Sequence, residues 1–397
     1  MTYLDHAATT PMLPAAVRAM AEHLEVVGNP SSLHTAGRRA RRVVEESREV
    51  VAQVFGARPS EVVFTSGGTE ANNLALKGLY WARRAAAPQR RRVVATAVEH
   101  HAVLDPLRWL VDHEDAQLEV LPVDRQGRLD PAILRAALER SPDDVALVSV
   151  MWANSEVGTV QPIGECAAIA SELQIPFHTD AVQAAGTLDV DFAESGVDAL
   201  TLTGHKLGGP HGVGALLLAR TAELVPLAHG GGQERDVRSG TLDVPAIASL
   251  AVAASVAVAD RVARNDRVAR LRDQLVQAVQ SAVPDAVLNG PPVDDRAVRL
   301  PGNAHFSFPG CEGDSLLMLL DAQGVYCSTG SACSAGVAQP SHVLVAMGAD
   351  PRSARSSLRF SLGHDSTQVD VDALAMAIGP VVARARATSE RSQGAPA

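Results

Sequence analysis

The chain has 397 residues, 46% hydrophobic and 20% charged, with a formal net charge of −10. That length suits about two domains, the composition is that of an ordinary soluble globular protein, and the acidic balance argues against direct nucleic-acid binding. No uncharged apolar run reaches the roughly 18 residues that span a bilayer and no charged-then-apolar leader precedes Tyr3, which predicts a cytoplasmic protein with no membrane partner.

From about residue 60 to 220 short apolar runs alternate with helix-like stretches. Val62 to Thr65, Val93 to Thr96, Leu118 to Leu121, Val145 to Met151, Ile175 to Thr179, Ala199 to Thr203 and Gly214 to Leu218 read as strands, most too apolar to have a wet face. This is the pattern of a mainly parallel sheet covered by helices on both sides. Polar residues follow these runs: Ser66-Gly67-Gly68-Thr69, Glu99-His100-His101, Asn154, Asp180 with Gln183, and Thr203 to Lys206. Open α/β sheets bind ligands beyond the carboxyl ends of their strands, so these groups are expected to converge on one site. A long helical stretch follows from about Val244 to Val283, with a break expected near Asn265. Beyond it, His305 to Phe308 and Ser357 to Ser361 read as strands of a smaller α+β domain. The segment from Thr388 to Ala397 has no apolar period and reads as a frayed tail.

Only two of the 35 basic residues counted as Lys plus Arg are lysines, Lys77 and Lys206. A lysine kept where arginine has otherwise replaced it points to a task that a guanidinium cannot perform. Lys206 follows one strand and Asp180 ends another, the pairing that pyridoxal phosphate chemistry needs. The amine condenses with the cofactor aldehyde, and the carboxylate keeps the ring nitrogen protonated so that the ring accepts electrons. Gly67-Gly68-Thr69 leads from a strand into a helix, where glycines and free amides suit a phosphate, although such a turn is common as plain structure. A histidine beside the cofactor can stack on it and shuttle protons, and position alone does not choose between His100 and His101.

The four cysteines are Cys166, Cys311, Cys327 and Cys333, without a CxxC pair, so neither a disulfide framework nor a zinc knuckle is expected and no metal ligand is assigned. Cys327 to Gly336 is small, polar and glycine-bearing, which reads as an exposed, mobile loop with a reactive cysteine.

Taken in order, Tyr3-Leu4-Asp5-His6-Ala7-Ala8-Thr9-Thr10, Gly28-Asn29-Pro30-Ser31-Ser32-Leu33-His34, Glu99-His100-His101-Ala102-Val103-Leu104, Asn154-Ser155-Glu156-Val157-Gly158-Thr159, Asp180-Ala181-Val182-Gln183, Gly204-His205-Lys206, Arg238-Ser239-Gly240-Thr241, Ser331-Ala332-Cys333 and Leu358-Arg359-Phe360-Ser361-Leu362-Gly363 resemble the cysteine desulfurase family of fold-type I pyridoxal phosphate enzymes, in its long-loop subgroup. The resemblance runs from Tyr3 to about residue 365. It implies a large cofactor-binding domain over about 14–255 and a small domain from 1–13 and 256–397 that carries the cysteine loop at about 324–340.

It further implies that Lys206 holds the cofactor, Asp180 pairs with its ring nitrogen, Gln183 bonds its ring hydroxyl, and His100 stacks on the ring. Gly68, Thr69, Thr203 and His205 are implied around the phosphate, with Thr241 reaching it from the other subunit of a homodimer. Asn154 and Arg359 are implied to bind the substrate carboxylate, a task that suits a bidentate guanidinium. Cys333 is implied as the nucleophile that takes sulfur from L-cysteine, leaving alanine and a persulfide. A soft thiolate fits that role as no hydroxyl does. The implied recipient is a sulfur-acceptor protein such as an iron–sulfur scaffold or a thiolation enzyme. Members with a scaffold commonly dock it through a C-terminal tail, whereas this chain ends in a polar, alanine-rich segment, so the acceptor stays open. The alternatives are a selenocysteine lyase or another fold-type I enzyme, and a non-catalytic sulfur-carrier or scaffold-binding protein.

Overall fold

The computed structural model describes residues 1–330 and 339–393, with side chains to Thr388. Its centre is a seven-stranded sheet in the order Val62–Thr65, Gly214–Leu218, Ala199–Thr203, Phe177–Asp180, Val145–Ser149, Arg92–Thr96 and Gln117–Leu121. All strands run parallel except Gly214–Leu218, which is antiparallel to both neighbours. Six are buried along their whole length, and only the edge strand Gln117–Leu121 exposes residues. Val, Leu, Ala and Phe fill most of these positions, and buried polar side chains such as His178 bond inside the sheet, to Ser149 and Thr201, instead of to water.

Helices Gly68–Ala86 and His101–Glu114 cover one face through Ala71, Leu74, Leu79, Val103 and Leu107. Thr35–Val54, Ile163–Glu172 and Val244–Ala259 cover the other through Val44, Val51, Ile163, Ile247 and Leu250. Gly67 makes the tight passage from sheet to helix with φ near +150°, a value that a side chain disfavours. Gly214 must also stay small, since a Cβ there would lie 2.8 Å from the Gly67 Cα.

A second core gathers around the three-stranded antiparallel sheet of Ser357–Ser361, Asn303–Ser307 and Val287–Asn289. Phe306, Phe308, Leu358 and Phe360 pack there against Leu275 and Val279 of helix Arg261–Ala282, Leu316 of Gly313–Asp321 and Leu374 and Ile378 of Gln368–Gln393. The amino terminus joins this unit: Thr2–Tyr3 pairs in parallel with Val325–Tyr326, and Leu4 is fully buried in the core.

Three expectations change. The long helix breaks at Asp260, not at Asn265, into Val244–Ala259 and Arg261–Ala282, which meet at 71°. The new axis is fixed just after the break, where Arg261 donates to the Leu188 carbonyl and Asn265 to that of Thr187, so Asn265 anchors the second helix instead of ending the first. The supposed frayed tail is helical through Gln393, because a polar stretch extends a helix whose nucleus is already packed. Finally, Cys327 and Ser328 are not exposed. They are 8% and 6% accessible, since Ser328 exchanges backbone hydrogen bonds with Arg359. Among the described residues no single helix is long and apolar enough to cross a membrane.

Candidate active site

The carboxyl ends of the parallel strands and the edge of the second core enclose a cleft of about 320 Å³. Gly68, Thr69, His100, Asn154, Asp180, Gln183, Thr203, His205, Lys206 and Arg359 all line it. Sheet geometry explains the convergence: each strand delivers its polar residues at the same end, and the local turn aims them inward.

Asp180 is the last residue of its strand and is 5% exposed. Its carboxylate accepts from Asn72 Nδ2 at 2.7 Å and from the Val182 amide at 2.9 Å, both neutral donors. Asn72 lies one turn beyond Gly68 on the same helix, so the turn read as a phosphate cradle also holds the residue that orients Asp180. Lys206 closes a short 3-10 turn, Gly204–Lys206, directly after strand Ala199–Thr203. Its Nζ donates to the Ala7 carbonyl, which also accepts from Gln183 Nε2 at 2.8 Å.

His100 caps helix His101–Glu114, its Nδ1 accepting from the Ala102 amide at 3.0 Å. Burial lowers its pKa; Asp180 opposes the shift and Lys206 adds to it, so the ring is neutral near pH 7. His101 also lines the cleft and meets His342 edge-on at 5.1 Å. Beside them Glu99 is fully enclosed, accepting from Thr96 Oγ1 at 2.6 Å and from the Met151 amide at 2.8 Å. Burial pushes its carboxyl up to about 8. His205 stacks on His211 at 5.3 Å, and burial, with Lys206 and His211 adding to it, drives its pKa down to about 4.

Arg359 enters from strand Ser357–Ser361 and is 5% exposed. Nη2 pairs with Asp5 Oδ1 at 2.7 Å, Nη1 donates to the Ser155 carbonyl at 3.1 Å, and the buried Nε meets no partner among the described residues. Asn154 is committed within the chain: Oδ1 accepts from the amides of Glu156 and Val157, while Nδ2 donates to the Val98 carbonyl at 3.0 Å and contacts Met151 Sδ at 3.6 Å. Only the weak thioether contact is easily given up to a ligand.

Two sequence candidates stand apart. Thr241 is exposed and is not among the residues of the cleft. Cys333 lies outside the described residues, but Ser328 and Gly330, a few positions before it, line the cleft. Of the other thiols, burial pushes those of Cys327 and Cys166 up to about 12 and raises that of Cys311 as well. None of these three is a ready nucleophile.

Sequence reasoning assigned no role to Asp5, Asn72, Glu99 or the ion pair of Glu70, in the first turn of helix Gly68–Ala86, with Arg238. Arg238 Nε donates to Glu70 at 2.8 Å, and buried Glu234 accepts from Arg48 and the Phe64 amide, which fixes the segment leading to Thr241 against the sheet. The i, i+4 spacing of Gly68 and Asn72 was a usable signal. Asp5 and Arg359 are 354 positions apart and gave none.

The chain is similar to known proteins over nearly its whole length. The Aminotransferase class-V family model matches residues 2–374. An IscS-like cysteine desulfurase of Mycobacterium tuberculosis is 59% identical over 395 residues, covering 100% of both chains. Among solved structures, a NifS-like protein superposes with a TM-score of 0.88 at 33% identity, covering 97% of this chain and 100% of that one. A structure titled SspA in complex with cysteine superposes with a TM-score of 0.78 at 33% identity, covering 91% of this chain and 99% of the other. With a family match over nearly the whole length and relatives of this closeness, the chain belongs to the class-V aminotransferase family, on its IscS/NifS-like cysteine desulfurase branch.

Proposed function

We propose that the protein is a pyridoxal phosphate-dependent cysteine desulfurase that converts L-cysteine to L-alanine and carries the sulfur as a persulfide on Cys333. The observation that carries this reading is the meeting of Asp180, Lys206, His100 and Arg359 in one cleft that Ser328 and Gly330 also line. The residues fit the cofactor: a buried carboxylate with only neutral donors awaits a protonated ring nitrogen, a lysine at a strand end awaits the aldehyde, and the start of helix Gly68–Ala86 offers amides to a phosphate. When bound, pyridoxal phosphate supplies the electron sink that labilises the substrate's α-proton and makes its sulfur electrophilic.

The chain's own residues do the rest. Arg359, held by Asp5, orients the substrate carboxylate, and Asn154 shapes the loop beneath it. Neutral His100 takes up and returns protons beside the ring. The Cys333 thiolate attacks sulfur: an S–S bond forms as the substrate C–S bond breaks, the bonding pair stays on carbon, and protonation there gives alanine. The net change is thiol plus cysteine to persulfide plus alanine, with no outside oxidant or reductant. We read the active form as a cytoplasmic homodimer in which Thr241 serves the neighbouring cofactor site, and the recipient as a sulfur-accepting protein of iron–sulfur assembly or thiolation.

Mass spectrometry after exposure to cysteine tests the reading. One added sulfur is expected on Cys333. Cys333→Ser keeps bound cofactor and releases no alanine, while Cys327→Ser, Cys311→Ser and Cys166→Ser still release it. Persulfide on Cys327, or full turnover by Cys333→Ser, overturns the assignment.

A further inference from the structure

We propose that His6, His364 and Asp365 form a binding site for a divalent transition-metal ion of zinc-like ligand preference, behind the wall that carries Lys206. One ring nitrogen from each histidine and one carboxylate oxygen of Asp365 lie within 4.8 Å of one another. His6 Nε2 and Asp365 Oδ1 are 3.4 Å apart, about the edge of a tetrahedron with metal bonds of roughly 2.0–2.1 Å. Two imidazoles and a carboxylate select zinc, cobalt or nickel over magnesium or calcium, which take oxygen ligands.

The surroundings are those of a built site. Thr10 Oγ1 lies 2.8 Å from His6 Nδ1 and 3.3 Å from His364 Nδ1, so one hydroxyl orients both rings from outside, as the outer partners of metal-bound histidines do. The loop passes so close that a Cβ on Gly363 would stand 2.0 Å from the His6 Nδ1. Arg267 donates to the carbonyls of His364 and Ser366, which fixes the loop backbone, while the Asp365 side chain stays 51% exposed and free to turn inward. A cavity of about 110 Å³ adjoins, lined by His6, His364, Lys206 and Asn303, with room for water as the fourth ligand. The charges of Arg264 and Arg267 nearby oppose a cation, so the site is weaker than a closed structural zinc site. Its occupation ties residues 6–10 to residues 361–366, the segments beside the Ala7 carbonyl and Arg359.

The proposal stands apart from the desulfurase reading and is tested without turnover. Cofactor-loaded protein carrying Cys333→Ser, so that the loop thiol cannot ligate, is titrated with Co²⁺ while visible d–d absorption is followed. About one equivalent per chain is expected, displaced by Zn²⁺ and without a thiolate charge-transfer band. His364→Ala and Asp365→Ala, both at accessible positions, each weaken uptake at least about tenfold, Thr10→Val weakens it less, and His23→Ala leaves it unchanged. Absence of stoichiometric uptake, or uptake indifferent to His364→Ala and Asp365→Ala, overturns the site.

Discussion

The two walls of the cleft are built on different principles. The cofactor wall is made of strand ends, and near neighbours orient much of it: Thr96 bonds Glu99 three residues on, Val182 bonds Asp180 two residues back, and Ala102 bonds His100, with Asn72 and the Met151 amide adding one long-range bond each to Asp180 and Glu99. The opposite wall is assembled from the ends of the chain, with Asp5 on Arg359, the Ala7 amide on Ser361 Oγ, and the Ala7 carbonyl under Gln183 and Lys206. A side chain held by its near neighbours is oriented by local backbone geometry, whereas each long-range clasp needs two distant segments to be folded together first.

The largest expected effect breaks the cofactor wall chemically. Lys206→Ala and Lys206→Arg should each lose the visible absorbance of bound cofactor and cut turnover by roughly 10³-fold or more, because neither side chain condenses with an aldehyde. Absorbance and rate retained in either variant would show that Lys206 is an ordinary turn residue.

Asp5→Asn attacks the opposite wall without touching the first. Cofactor loading should be unchanged, while KM for cysteine rises about 10-fold to 100-fold as Arg359 loses the charge that aims it. A lower cofactor affinity with an unaltered KM would mean that the two walls are not separable in this way.

Glu99 reports on the stability of the cofactor wall. Its folded pKa of about 8 exceeds the ordinary 4.5, so the folded state keeps a proton that the unfolded chain releases. That stability is fully present below about pH 4.5 and is lost as pH rises towards 8, by on the order of a few kcal/mol. Glu99→Gln should flatten this slope in denaturation midpoints taken at pH 6 and 8.5; an identical slope in both proteins would show that Glu99 ionises freely.

The smallest effect is reserved for Thr241, which belongs to neither wall of its own subunit. Thr241→Ala should weaken cofactor affinity by about fivefold, as the loss of one hydrogen bond of roughly 1 kcal/mol does. A mixed dimer with one altered chain should then show a single weakened site.

The same contrast explains what the sequence made legible. Strands of Val, Leu and Ala and the polar residues after them announced the sheet and the cofactor wall, because each signal lies within a few residues of the position that it describes. Asp5 went unassigned because the reason for its presence is Arg359, at the far end of the chain. The burial of Cys327 was missed for the same reason, since the small polar residues around it describe a loop but not the strand that covers it. The break at Asp260 escaped because packing on the 186–188 turn, not composition, sets it.

The pairing of Thr2–Tyr3 with Val325–Tyr326, and of Asp5 with Arg359, also fixes an order of events during synthesis. Residues 2–5 are made more than three hundred residues before the partners that they pair with. The cofactor sheet is complete once residue 218 has emerged, more than a hundred residues before strand Ser357–Ser361 exists. Until that strand is made, Asp5 and Ala7 lack Arg359 and Ser361, and the entropic cost of bringing them together is set by the length of the loop between them.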